Sequence, residues 1–161
     1  MKILTAIKQF LGLHLKHRPI KYVVGNLLEL APTFDVIAHG CNCFNSMSGG
    51  IAYQIAKKYP IVEDADKVTK RGSGDKLGGF TMVTFEDFIV LNAYTQFQPG
   101  ANVDYNAIKL AMININKSFP NMSIGLPKIG AGIAGGDWDR IEKIIKEALV
   151  DMDVTIVEFG G

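Results

Sequence analysis

The sequence predicts an α/β domain with a mixed, mostly parallel central sheet. Short apolar segments rich in β-branched residues, which suit strands, alternate with segments whose apolar residues recur every three to four positions, as in helices. Several strand segments run directly into glycine-rich loops. No internal repeat or linker divides the chain. Strands that alternate with helices usually form a parallel sheet with helices on both faces.

The first third of the chain predicts two strands and a helix. Residues 22–24 and 35–38 are short apolar segments, each followed closely by a glycine, which is a common end of a strand. A helix is predicted over 50–59, because its isoleucines and Tyr59 recur at intervals of four residues. Alanines beside them widen this apolar stripe.

The middle of the chain predicts a departure from strict alternation. Pro60 ends the preceding helix or begins a second one that continues over 64–69. Two strands are then expected over 80–85 and 88–91, joined by the acidic pair 86–87 as a tight connection. Because these two strands lack a helix between them, they predict the mixed part of the sheet.

The last third returns to alternation. A helix over 104–119 carries an apolar stripe at helical spacing and is followed by a strand over 122–126. A second helix over 137–149 and a strand over 154–159 complete the pattern. In open sheets of this kind, ligands bind beyond the carboxyl ends of the strands. We therefore expect a site where strands end in glycine, at Gly25 and in the loops before the helices at 50 and 137.

Composition narrows the class of protein. A chain of 161 residues fits one domain, and its formal net charge of +1 gives no overall field for nucleic acid or an acidic membrane. Cys41 and Cys43 are too close for an unstrained disulfide and lack further zinc ligands. No stretch reaches the roughly 18 apolar residues that span a bilayer. We expect a cytoplasmic, membrane-free protein with no metal or cofactor, and a monomer.

Two glycine-rich loops are the candidate ligand-binding segments. The first, 39–51, links a strand to a helix, and its glycines suit either a structural turn or a cradle for a phosphate. It matches neither a Walker loop nor a Rossmann fingerprint. The second, 126–138, has four glycines within seven residues, more than a turn requires. Two such loops at one sheet edge favour a diphosphate or nucleotide ligand.

In the order and spacing of its motifs, the chain resembles the macro domain family. The motifs are 24–27, 37–42, 49–52 and 126–133, and they are most similar to the branch of ADP-ribose 1″-phosphate phosphatases. The resemblance implies a single macro domain over 1–161, a three-layer α/β/α sandwich. Residues 1–20 form an N-terminal extension outside it. It also implies that the ligand is ADP-ribose or ADP-ribose 1″-phosphate.

The resemblance further implies a set of substrate-binding residues. Asn26 and Leu27 would meet the adenine, with Asn26 standing where many macro domains carry Asp. Asn42 would face the distal ribose. The remaining implied contacts are Gly25, Gly40, Cys41, Ser48, Gly49, Gly50, Ile51, Ala52, Ile129, Gly130, Ala131, Gly132, Ile133, Ala134 and Gly135.

Two side chains are the candidate catalytic residues. His39 ends a predicted strand and is either a general acid or base, as its place in the phosphatase branch implies, or a hydrogen-bonded histidine that closes the strand. Asp137 either caps a helix or orients water beside the distal ribose. Some macro hydrolases carry their acidic residue earlier, where this chain has Ala134. A nucleophilic Cys41 is disfavoured, because the resemblance gives it no support.

Three functions share such a pocket. The first is a metal-independent phosphatase that hydrolyses ADP-ribose 1″-phosphate to ADP-ribose and phosphate. The second is a hydrolase that removes ADP-ribose from modified protein or nucleic acid, which would make ADP-ribosylated macromolecules the partners. The third is a reader that binds ADP-ribose without turning it over. The sequence favours the first and leaves the other two open.

Overall fold

The structure is a computed structural model that describes residues 2–3 and 18–160. Most of the predicted extension 1–20 lies outside the described residues. Residues 18–160 form the strands β1 (Lys21–Val24), β2 (Val36–Asn42), β3 (Phe80–Thr84), β4 (Ile89–Gln96), β5 (Ser123–Leu126) and β6 (Asp153–Glu158). The helices are α1 (Leu27–Leu30), α2 (Gly50–Lys58), α3 (Pro60–Lys67), α4 (Tyr105–Ser118) and α5 (Trp138–Ala148).

The six strands form one sheet in the order β1-β6-β5-β2-β4-β3. Four of the five pairings are parallel, and only the hairpin of β3 and β4 is antiparallel. The prediction of a mixed, mostly parallel sheet is therefore confirmed. Because the parallel strands end at the same edge, the loops that follow β1, β2, β4, β5 and β6 meet there.

Helices cover both faces of the sheet and give three layers. On one face, Ile55 of α2 and Val62 of α3 pack into a buried cluster with Ile37 of β2. On the other face, Ile108 of α4 and Ile145 of α5 are fully buried in the larger cluster. Burying a side chain of this size contributes about 1.5–3 kcal/mol, so the two clusters hold the layers together. The predicted α/β/α sandwich is confirmed.

The strand β2 is longer than its sequence indicates. The predicted strand stops at residue 38, but pairing with β4 continues from His39 opposite Asn92 to Asn42 opposite Gln96, with an irregularity after Cys41. His39 and Gly40 resemble the start of a loop in sequence. The partner strand, which is distant in the chain, supplies the hydrogen bonds that extend β2. His39 consequently lies inside the sheet.

A short helix follows β1 and was not predicted. It has four residues, too few for a recognisable apolar period. Asn26 begins it, because its Oδ1 accepts a hydrogen bond from the amide of Leu28 at 2.9 Å. In the described part of the chain, no helix is long and apolar enough to cross a membrane.

Candidate binding groove

A groove of about 790 Å³ crosses the carboxyl edge of the sheet. This volume lies within the range of small-molecule sites. The ends of β1 and β6 line one end of the groove, the two glycine loops line its middle, and the end of β4 lines the other end. It brings together all the predicted binding residues except Gly135. That glycine has a positive φ of 79° and sits beyond the lining.

Several lining residues were missed by the sequence analysis. Most belong to strand ends or to loops without a glycine signature, where no local pattern marks them, whereas Ser46, Pro127 and Lys128 lie within the two glycine loops but were not assigned contacts. A prediction that β4 continues to Gln96 would have indicated the lining residues near its end. The missed residues are Ser46, Gln54, Thr95, Gln96, Pro99, Gly100, Pro127, Lys128, Val157, Glu158 and Phe159.

The end of the groove over β1 and β6 combines an aromatic ring with charged groups. Phe159 follows β6 and is 69% exposed although it lines the groove. The backbone carbonyl of Glu158 accepts from the amide of Gly25 at 2.8 Å, which ties the two strand ends together. The Glu158 carboxylate pairs with Lys128 Nζ at 2.9 Å. This end therefore offers an exposed ring face beside a carboxylate.

The middle of the groove is walled by the two glycine loops. In the second loop, the carbonyl of Gly130 accepts from the amide of Gly136 at 2.8 Å and closes the turn. Ile133 is 63% exposed and its side chain reaches the first loop. A Cβ added to Gly49 would lie 3.3 Å from Ile133 Cδ1, and a Cβ added to Gly50 would lie 3.2 Å from the same atom. A Cβ on Gly132 would meet nothing within 4 Å. The two loops thus approach each other closely at Ile133 and leave free space beside Gly132.

Helix α2 directs its first turn at this middle section. Gly49 occupies the N-cap position and provides no side-chain hydrogen bond to the helix. The first amides of α2, at residues 50–52, lie in the groove lining and have no side-chain cap. Uncapped N–H groups and the positive end of the helix dipole favour an anion. The first loop therefore has the geometry of a phosphate cradle.

The end of the groove over β2 and β4 is lined by neutral polar groups. Asn42 accepts from the amide of Phe44 at 2.9 Å and donates to the carbonyl of Ser46 at 3.0 Å, so its amide shapes the first loop. Gln96 Nε2 donates to the carbonyls of Gln98 and Gly100 at 2.7 and 2.9 Å. Each amide keeps unused hydrogen-bonding capacity for a ligand hydroxyl.

His39 does not line the groove. It is fully buried, and its Nε2 lies 2.6 Å from Asn92 Oδ1. Asn92 in turn donates to the carbonyl of Val62 in α3, so this network lies on the α3 face of the sheet. Burial lowers the pKa of His39 to about 4, with a partial offset from the bond to Asn92. His39 is therefore a neutral, hydrogen-bonded histidine inside the strand and not a group open to substrate.

Asp137 also lies outside the groove lining. It is exposed, and its Oδ1 accepts from the amide of Asp139 at 3.0 Å as the N-cap of α5. The structure therefore does not bring the two predicted catalytic side chains to the groove. Each has a structural partner that accounts for its position, and the geometry gives the acid–base pair no support.

The cysteines are buried and lack the features of a nucleophile. Cys41 Sγ lies 3.6 Å from His39 Nε2, but that histidine is neutral, and burial raises the pKa of the thiol well above its usual value. Burial also raises the pKa of Cys43. Among the described residues, no group of three or more His, Cys, Asp or Glu side chains could hold a metal ion.

Fold and groove together define an α/β/α domain whose groove, at the carboxyl edge of the sheet, has the size and uncapped amides that suit a small anionic ligand. No protein-family model matches the chain. It is 37% identical over 151 residues to an uncharacterized 17.5 kDa protein of Enterobacteria phage T4, an alignment that covers 87% of this chain and 96% of that protein. It is 27% identical over 173 residues to the ADP-ribose 1″-phosphate phosphatase of Saccharomyces cerevisiae, covering 86% and 98%.

A solved structure agrees with these relatives. The macrodomain of Mycobacterium tuberculosis DarG superposes with a TM-score of 0.69 at 25% identity, over 89% of this chain and 99% of that one. The chain belongs to the macro domain family, in the branch that includes the ADP-ribose 1″-phosphate phosphatases. The resemblance predicted from the glycine loops is confirmed.

Proposed function

We propose that this protein is a hydrolase that binds ADP-ribose 1″-phosphate in the groove and releases ADP-ribose and phosphate without a metal ion. The order of features along the groove carries the proposal. An exposed ring, two anion-binding loops and a neutral polar end follow one another over the sheet edge. A base, a diphosphate and a ribose follow one another in the same order in ADP-ribose.

The base would stack on Phe159. This ring is exposed at the end of the groove, and stacking of a nucleobase on an aromatic side chain contributes about 1–3 kcal/mol. Gly25 and Leu27 line the same end of the groove. An aromatic ring beside exposed backbone suits a purine.

The diphosphate would lie between the two glycine loops. The uncapped amides of α2 face it from the first loop, and the backbone of 130–133 faces it from the second. Hydrogen bonds to charged acceptors are about twice as strong as those between neutral groups. Ile133 spans the two loops above this section and would exclude water from the diphosphate.

The distal ribose and its 1″-phosphate would occupy the end near Asn42 and Gln96. Water attacks phosphorus, the bond from phosphorus to the sugar oxygen breaks, and the departing oxygen takes one proton of that water while the other stays on the released phosphate. Backbone and amide donors would stabilise the charge that develops on the phosphate oxygens. The acid–base roles of His39 and Asp137 stay predictions, and they are not needed for this placement of the substrate.

Two measurements test the proposal. Titration calorimetry should show ADP-ribose binding at micromolar Kd or better, about −8 kcal/mol or stronger. Incubation with ADP-ribose 1″-phosphate should release phosphate equally with and without EDTA. A Gly132→Glu variant is the negative control, since a Cβ at this position meets no atom within 4 Å and the carboxylate would oppose the diphosphate.

The outcomes separate the candidate functions. Absence of heat at millimolar ADP-ribose contradicts the proposal as a whole. Binding without phosphate release leaves a reader. Release of ADP-ribose from modified protein or DNA, with no action on the 1″-phosphate, identifies the second kind of hydrolase.

A further inference from the structure

We propose that Glu158, positioned by Lys128, accepts the hydrogen bond from the amino group of the bound base, and that Asn26 donates to the neighbouring ring nitrogen. This inference rests on the proposed function, since it assigns the base-reading groups of the same groove. It gives Asn26, which the family resemblance places against the adenine, the role of a donor to the ring.

The capping bond of α1 fixes the orientation of the Asn26 amide. A backbone N–H can only donate, so the atom that meets the amide of Leu28 at 2.9 Å must be the oxygen. The other end of the side chain is therefore the NH2 group. Among the described residues, that group has no hydrogen-bond partner, and Asn26 lines the groove.

An NH2 group in this place selects an acceptor on the ligand. The amino group of a base is a donor, so two donors would face each other if Asn26 read it. A ring nitrogen with a free lone pair is the complementary partner. Asn26 consequently reads the ring, and the amino group needs an acceptor from another residue.

Glu158 is in place to be that acceptor. It pairs with Val24 across β1 and β6, and its carbonyl binds the amide of Gly25, so it is adjacent to Asn26 at the base end of the groove. One carboxylate oxygen meets Lys128 Nζ at 2.9 Å. The other oxygen has no partner among the described residues, and an ionised carboxylate only accepts.

Lys128 is the positioning residue of this arrangement. Its Nζ lies over the ring of Trp138, 5.8 Å from the centroid, while it pairs with Glu158. These two contacts hold the ammonium against one carboxylate oxygen and leave the other oxygen for a ligand. The lysine itself need not touch the base.

The resulting pattern discriminates between purines. Adenine offers a donor to Glu158 and a ring acceptor to Asn26. Hypoxanthine reverses both groups, so that its 6-oxo oxygen would face a carboxylate and its ring N–H would face an NH2. Sites that leave buried polar groups mismatched reject a ligand strongly. We expect ADP-ribose to bind about 100-fold more tightly than its hypoxanthine counterpart, inosine diphosphate ribose.

The test is calorimetric titration of both ligands against four proteins. Glu158→Gln should lower the preference for adenine by about tenfold or more, because a glutamine can turn its NH2 toward the 6-oxo group. Asn26→Asp retains the cap but opposes a carboxylate to the ring nitrogen, so it should weaken ADP-ribose binding about tenfold. Glu147→Gln, on the exposed face of α5, is the matched control and should leave the preference unchanged.

Lys128 requires its own readout. Lys128→Met should reduce the adenine preference while the melting temperature stays near that of the wild type, and Lys128→Arg should restore the preference. A loss of affinity for both ligands alike would indicate a general role and would overturn the positioning assignment.

Three results contradict the inference. The preference is unchanged in Glu158→Gln, or ADP-ribose binds Asn26→Asp more tightly than the wild type, or the wild type does not discriminate between the ligands. Failure of the wild type to bind either ligand is a different result. It overturns the proposed function, and the inference falls with it.

Discussion

Acid should destabilise this protein through one buried histidine. Burial lowers the pKa of His39 from 6.5 to about 4 in the folded protein. As the pH falls, the unfolded chain therefore takes up a proton before the folded one does. The contribution of His39 to stability is fully present above about pH 6.5 and is lost progressively as the pH falls toward 4. At about 1.4 kcal/mol per pH unit, the loss is about 3 kcal/mol.

The hydrogen-bond network explains why protonation of the neutral His39 ring is unfavourable in the folded protein. Asn92 Nδ2 donates to the carbonyl of Val62 and to Thr81 Oγ1, so its oxygen is the atom that faces His39. His39 Nε2 must then carry the hydrogen, and Nδ1 is the atom that would be protonated in acid. Nδ1 lies 3.8 Å from the thiol sulfur of Cys41, which is a weak acceptor.

The assay is urea unfolding of the wild type and of His39→Gln at intervals between pH 7.5 and 4.5. The readout is the difference between the two proteins, so that contributions common to both cancel. Wild type should be the more stable above pH 6.5, and its advantage should shrink by up to about 3 kcal/mol in acid. An advantage that does not change with pH would refute a neutral, buried His39.

Substitutions at three positions test the groove and its helices. Gly132→Glu should keep its melting temperature and lose ADP-ribose binding, because a Cβ there meets open space; unchanged binding would place the diphosphate elsewhere. Gly50→Ala should lose about 1 kcal/mol in urea unfolding, since φ is +56° and Ile133 is close; a neutral result would refute that strain. Asp137→Ala should lower the free energy of unfolding by about 1 kcal/mol, Asp137→Asn should lower it little, and both should retain phosphate release. If Asp137→Asn has normal stability but releases phosphate roughly 100-fold more slowly, Asp137 has a catalytic role.

The parts of the structure that the sequence predicts are those with local causes. Apolar periodicity sets the type of α2, α4 and α5, and the alternation of strands with helices sets the layers. The glycine loops were recognised because left-handed backbone and close approach require glycine, as at Gly130 with φ of 77°. Both kinds of signal lie within a dozen residues of the chain, so one sequence is enough to detect them.

The parts that were missed depend on distant partners. His39 looked like the last residue of a strand, and only the pairing of β2 with β4 shows that it is internal. Glu158 and Phe159 carry no motif, and they reach the groove because β6 lies beside β1 in the sheet. The structure shows the capping role of Asp137, one of the two roles that the sequence left open, and capping is a local property.

The distribution of charge in the groove predicts how phosphate release depends on pH. Among the described residues that line it, the ionisable side chains are Cys41, Lys128 and Glu158. The last two lie at the base end, and burial raises the pKa of Cys41. The end that would hold the 1″-phosphate is therefore lined by neutral donors.

Neutral donors do not titrate, so the rate between pH 6 and 8 should follow only the ionisation of the substrate's own phosphate. Measured kcat for the wild type and for His39→Gln should then give parallel profiles over this range. His39 has a pKa of about 4 in the folded protein and stays neutral throughout, so its removal changes the rate only through stability. If the wild type shows an additional step near neutral pH that His39→Gln lacks, the histidine reaches the substrate in a conformation other than this one, and general acid–base catalysis replaces stabilisation by backbone donors.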